Sequence, residues 1–179
     1  GRDRLGWGMA TAIFGTFQNP ATARVSIDRD GHVLVESGTQ EIGTGTRTVI
    51  PQIAADALGV PVDRVRFALG DTNLPEAPMT AGSTTTLSVG SAVHEGALKL
   101  KEKLMQAGAK TPDDYAATIG RLGVDRLTVD GVYTPPAENP AALFSFGAIF
   151  AEVRVDAEIP IPRVSRVVGV YHAGKIINP

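Results

Sequence analysis

Between Ala23 and Met105 the apolar residues switch repeatedly between a two-residue and a 3.6-residue period, and that alternation limits the folds open to the chain. Ala23–Asp28 alternates apolar and polar residues, Arg29-Asp30-Gly31 reads as a hairpin turn, and His32–Gly38 reads as the returning strand. Val49, Ile50, Ile53, Ala54, Ala57 and Leu58 then share one helical face, with Gly59 as the stop and Pro51 expected in the first turn or at a kink. Val65, Phe67 and Leu69 return to the strand period, and the residues of 70–75 form an exit loop. From Ser83 to Met105, Val89, Val93, Ala97, Leu100 and Leu104 recur at offsets of three and four, with Glu95 and Lys99 paired one turn apart. The order is β-β-α-β-α.

Past this unit, Thr111-Pro112 opens a shorter helix over 113–121, and Arg126–Val129 with Gly131–Tyr133 reads as a small hairpin around Asp130-Gly131. Pro135, Pro136 and Pro140 mark a loop-rich linker at about 134–142. Ile149–Val155 and Val164–Val170 form a later antiparallel strand pair. The expected fold class is α+β, a mixed sheet with helices packed on it, in a single domain over residues 1–179. The chain starts at Gly1 with neither Met nor a leader pattern and stops on Asn178-Pro179, so it is expected to continue in a longer parent.

With 43% apolar and 20% charged residues the chain can bury a core. A net charge of -2 without a basic cluster argues against a dedicated nucleic-acid binder, and no apolar run is long enough to span a bilayer. The absence of Cys removes disulfides, thiolate metal sites and a cysteine nucleophile. Gly is over-used: 20 of 179 residues, against a usual share of roughly 7%.

Two glycine- and hydroxyl-rich loops each precede a helix, whose first N–H groups have no partner inside the helix. The first is Gly43-Thr44-Gly45-Thr46, the second Ala81-Gly82-Ser83-Thr84-Thr85-Thr86. Both carry two readings: ordinary N-capping by Ser and Thr, or cradles for an anion at a helix N-terminus. Neither matches GxxxxGK[ST] or GxGxxG after a strand, which disfavours nucleotide hydrolysis and Rossmann-type binding. His32, His94 and His172 show no metal-ligand spacing among themselves, the loop carboxylates Asp71 and Glu76 read as turn caps ahead of general bases, and Ser83 lies outside a GxSxG elbow. Trp7, Phe14 and Phe17 read as core, or as packing at the edge of a missing neighbour.

Several ordered motifs carry a resemblance. Thr39–Thr46, Gln52-Ile53-Ala54-Ala55, Leu58-Gly59-Val60-Pro61, Leu69-Gly70-Asp71-Thr72 and Pro78–Thr85 resemble, in order and spacing, the molybdopterin-binding large subunit of the xanthine dehydrogenase and aldehyde oxidase family. Gly6-Trp7-Gly8-Met9-Ala10, Ser145-Phe146-Gly147-Ala148, Ala151-Glu152-Val153 and Gly174–Pro179 resemble its flanking motifs, so the likeness covers residues 6–179, with 107–143 divergent. It implies a cofactor-binding role for Gly43, Thr44 and Gly45 and for Gly82, Ser83, Thr84 and Thr85, next to the pterin dithiolene and its phosphate or cytosine dinucleotide tail. Thr44 stands where some members have Gln, and Phe150 falls at a position near the cofactor in relatives.

The resemblance further implies molybdenum held by the pterin sulfurs, so no protein metal ligand is expected, and iron-sulfur and FAD groups on partner subunits. The family's base belongs to a Gly-x-Gly-Glu motif absent from these 179 residues, and neither Glu41 nor Glu152 is assigned that role. The expected parent oxidises aldehydes or N-heterocycles, together with the remainder of its own large subunit and with iron-sulfur and flavin subunits. This chain would supply half of the cofactor cradle, with no catalytic residue and no activity alone. The rival expectation is a non-catalytic scaffold or interaction domain without cofactor.

Overall fold

The computed structural model describes residues 2–138 and 142–177; part of the expected linker (139–141) and the chain ends at 1, 178 and 179 lie outside them. The chain divides into two compact units, Gly1–Thr16 with Asn139–Ile176 and Phe17–Glu138 with Ile177–Pro179.

The larger unit contains the β-β-α-β-α order expected from sequence. β2 (Ala21–Asp28) and β3 (Val33–Glu36) form the hairpin, paired Arg24 with Glu36 through Ile27 with Val33. Asp28 Oδ1 accepts the N–H groups of Asp30 (3.0 Å) and His32 (2.9 Å), and Gly31 takes φ 80°, so the turn is closed by its own side chain and glycine. α1 (Thr46–Leu58) ends at Gly59 in the left-handed conformation, with Pro51 in its second turn rather than its first. β4 (Val65–Ala68) then pairs parallel to β3, making α1 the crossover of a β-α-β unit.

α2 (Thr85–Gln106) buries the face read from sequence: Val89, Val93, Ala97, Leu100 and Leu104 are fully buried, and the helix packs against β2, α1 and the strand Arg126–Tyr133. α3 (Tyr115–Leu122) follows a 3-10 turn entered through a capping box between Thr111 and Asp114. Its buried Tyr115 donates from its hydroxyl to the Leu58 carbonyl at 3.0 Å, satisfying an end group of α1.

The hairpin expected around Asp130-Gly131 is absent. Arg126–Tyr133 is one continuous strand, β5, antiparallel to β2, and completes a four-stranded sheet in the order β4-β3-β2-β5. Gly131 serves packing rather than a turn. A Cβ there would collide with the Ala92 carbonyl oxygen and lie 2.5 Å from the Gly96 nitrogen, so α2 and β5 approach backbone to backbone through two glycines.

In the smaller unit the later strand pair is present and longer than read from sequence: β6 (Phe144–Asp156) and β7 (Pro162–His172), with a bulge at Glu152/Val153. β6 also pairs antiparallel with β1 (Asp3–Gly15), so these strands form a separate three-stranded sheet, β1-β6-β7, instead of joining a single mixed sheet. The α+β class holds. Trp7 and Phe14 lie on β1 and are exposed at 74% and 50%, and Phe17 at 54%, which removes the core alternative and leaves that of packing at an edge.

Candidate functional site

In the larger unit the two glycine-hydroxyl loops come together. A cavity of about 420 Å³ has Ile42, Thr44 and Thr46 on one side and residues 80–83 with Thr85 and Thr86 on the other. The loops are tied through Thr80: its N–H donates to Gln40 Oε1 (2.9 Å), its hydroxyl to the Gln40 carbonyl (3.0 Å), and Thr85 Oγ1 donates to it at 3.3 Å. Thr39 Oγ1 adds a hydroxyl contact to Thr80 at 3.2 Å.

At the first loop the helix N-terminus is already satisfied. Gly43 and Gly45 adopt φ 94° and 84°, turning successive N–H groups inward into a nest. The Glu41 carboxylate fills it: Oε1 accepts from Gly43 (2.7 Å), Thr44 (2.8 Å) and Gly45 (3.3 Å), and Oε2 accepts from Arg47 (2.9 Å). The backbone hydrogen bond from Arg47, with those from Gly43, Thr44 and Gly45, holds this carboxyl below its ordinary value of 4.5 against a smaller opposing effect of desolvation. The amides expected to be open to an anion are therefore spent on an internal one. Thr44 and Thr46 keep their hydroxyls near the cavity, 3.2 Å from each other.

The second loop is built differently. Gly82 and Ser83 both adopt left-handed φ, 57° and 61°, a conformation costly for Ser. They bring the chain into α2 with no side-chain cap. Thr84 is only 6% exposed, yet its hydroxyl has no hydrogen-bond partner among the described residues, which leaves a buried donor and acceptor to be met from outside. An uncapped N-terminus beside an orphaned hydroxyl and neutral, hydroxyl-rich walls fits the phosphate end of an anionic cofactor.

The remaining candidates are not among the residues that line this cavity. Phe150 lies in the smaller unit, on β6, and is 46% exposed. Glu152, also on β6, accepts from Ser165 Oγ (2.6 Å) and Trp7 Nε1 (3.1 Å), and these bonds hold its carboxyl below the ordinary value. Asp71 caps its own turn by accepting from Asn73 N–H at 2.8 Å. Asp28, Asp30 and His32 come within 4.8 Å of one another, but Asp28 Oδ1 is committed to the hairpin turn. Sequence reasoning missed Glu41 as the partner of the first loop; an acidic residue two positions before a Gly-x-Gly helix entry was the available signal.

A family model described as "Molybdopterin cofactor-binding domain" matches residues 1–179. The chain belongs to this family. It is 29% identical to the aldehyde oxidoreductase molybdenum-binding subunit PaoC of Escherichia coli K12, an alignment covering 98% of this chain and 26% of that protein. It is 30% identical to the putative xanthine dehydrogenase molybdenum-binding subunit XdhA of the same strain, over 89% of this chain and 25% of that one. Among solved structures, quinoline 2-oxidoreductase from Pseudomonas putida 86 shares the fold at a TM-score of 0.82 and 23% identity, with 99% of this chain and 28% of that one covered. The chain thus spans about a quarter of the length of the curated relatives it matches.

Proposed function

We propose that this chain forms part of the cofactor cradle of a molybdenum hydroxylase that oxidises aldehydes or N-heterocycles. The observation that carries the proposal is the second loop: an uncapped α2 and a buried, unpartnered Thr84 hydroxyl beside a cavity shared with Thr44 and Thr46. In this reading the N–H groups at the start of α2, with Ser83, Thr84 and Thr85, receive the phosphate of molybdopterin or of its cytosine dinucleotide form. Gly82 lets the backbone come close, and Thr44 lines the other side, while Gly43 and Gly45, whose N–H groups are bound to Glu41, shape its loop without lining the cavity. Phe150, in the smaller unit, is carried to a cofactor contact by the family resemblance alone, since an aromatic ring donates no hydrogen bond. The bound cofactor supplies the two-electron redox chemistry; this chain's residues bind and orient it.

Proton handling falls to another part of the protein. Glu41 and Glu152 are engaged by three or more hydrogen-bonding neighbours or by Ser165 and Trp7, and both are held in the ionised form below the usual range, the opposite of what a general base near neutral pH requires. Iron-sulfur and flavin subunits would accept the electrons; the relatives are named as molybdenum-binding subunits, which supports an assembly with further subunits.

The test is metal content and turnover of the full-length protein carrying Gly82→Val. Gly82 sits at φ 57°, and a Cβ there would stand 3.5 Å from the Phe17 ring, so a branched side chain is both strained and directed at that ring. Molybdenum per chain should fall by about tenfold or more, the equivalent of one lost charge-assisted contact. Unchanged molybdenum would remove the second loop from the cradle. A wild-type protein with neither molybdenum nor turnover of aldehydes and N-heterocycles would overturn the function itself.

A further inference from the structure

Among the described residues, Glu41 is the charged side chain whose carboxylate enters a loop entry, and it does so at the first. Four consecutive-turn N–H groups, those of Gly43, Thr44, Gly45 and Arg47, donate to its two oxygens at 2.7–3.3 Å. These are the groups with which a helix N-terminus holds a phosphate. A full negative charge in that nest fills it in space and repels a second anion. No carboxylate is among the residues lining the cavity at the second loop, where α2 is uncapped. A ligand in the cavity therefore meets a negative pole at the first loop and a positive one at the second.

We propose that Glu41 is a positioning residue that sets the direction in which the ligand lies. Its carboxylate denies the first loop to phosphate, sends the anionic end to the start of α2, and leaves Thr44 and Thr46 to touch an uncharged part of the ligand through their hydroxyls. The inference rests on the reading of the cavity as the cofactor site. It goes further by assigning the two sides different partners, and it makes the anion preference of the cavity depend on a residue that need not touch the ligand.

Amide hydrogen exchange on the full-length protein, prepared without cofactor, tests this with pyrophosphate as the probe and sodium chloride of equal ionic strength as the control. In the wild type, pyrophosphate should slow exchange in peptides covering 85–87 and leave 43–47 unchanged. In Glu41→Gln, which keeps the shape and a carbonyl acceptor but not the charge, 43–47 should become pyrophosphate-sensitive, slowing about tenfold at ten times the dissociation constant. If Glu41 only braces the loop, 43–47 will exchange faster in the variant and ignore pyrophosphate, which overturns the proposal. Protection of 43–47 in the wild type overturns it as well, and decides the matter even should Glu41→Gln fail to fold. A wild type silent at both loops removes α2 as the phosphate site, and the variant then still decides the role of Glu41.

Discussion

The two loops that open α1 and α2 have nearly the same composition and face the same cavity, yet their backbone donors are in opposite states. At Gly43-Thr44-Gly45 the N–H groups close on Glu41, while at Gly82-Ser83-Thr84 the helix has no side-chain cap and the Thr84 hydroxyl is buried without a partner. The difference comes from one carboxylate within reach of a left-handed glycine nest. Glycine and hydroxyl residues allow a chain to present donors; whether those donors remain for a ligand depends on what else lies two or three residues upstream. Between Met79 and Thr86 there is no acidic residue.

The comparison requires α2 to be held firmly, and its anchor is the glycine contact with β5. Gly131→Ala is expected to have the largest effect, because the added methyl overlaps backbone atoms of Ala92 and Gly96 that belong to a helix interior and cannot rotate away. The cost should reach about 3 kcal/mol, at the upper end for overpacking, seen as a lower urea midpoint with an unchanged slope. An unchanged midpoint would mean that α2 and β5 do not meet as described, and with that the placement of the second loop would lose its support.

Much of the scaffold behind this contrast was legible. The period of Val89, Val93, Ala97, Leu100 and Leu104 placed the buried face of α2, and the β2–β3 hairpin with its Asp-Gly turn followed from local rules. Gly131 failed for an instructive reason. Asp-Gly is a strong hairpin signal, but here the glycine is required by a helix lying across the strand, and no local pattern carries that information. The pairing of β1 with β6 joins segments such as Trp7 and Glu152 that are far apart in sequence, so it was invisible too, and Trp7 and Phe14 read as core or as packing at the edge of a missing neighbour. At the site, both loops were legible as helix entries, whereas the distinction between a filled and an open one required the position of a single side chain.

Thr84→Val sharpens the comparison from the other side. Replacing the buried, unpartnered hydroxyl by a methyl of similar shape removes a desolvated polar group, so the cofactor-free protein should be as stable as the wild type or up to about 1 kcal/mol more stable. Molybdenum retention should move the opposite way and fall. Stability and retention declining together would show that the hydroxyl supports the fold, and the second loop would then resemble the first in being satisfied from within.

The smallest expected effect separates the loops by pH. The Glu41 carboxyl titrates below its ordinary value of 4.5 in the folded protein, chiefly because of the Arg47 backbone hydrogen bond. A depressed folded value means that Glu41 contributes its full stabilisation above about 4.5 and loses it as pH falls through the lower folded value. Global unfolding is a poor probe, since Glu95, Asp114, Glu152 and Asp156 are depressed as well and titrate in the same direction. Local exchange resolves it: with intrinsic rates divided out, protection of 43–47 should fall as the pH drops below the ordinary value of 4.5 and through the lower folded one, and protection of 85–87 should hold over the same range. Glu41→Gln should abolish the transition at 43–47. If 43–47 shows the same transition in Glu41→Gln, the nest is organised by something other than Glu41, and the asymmetry of the two loops has a different origin.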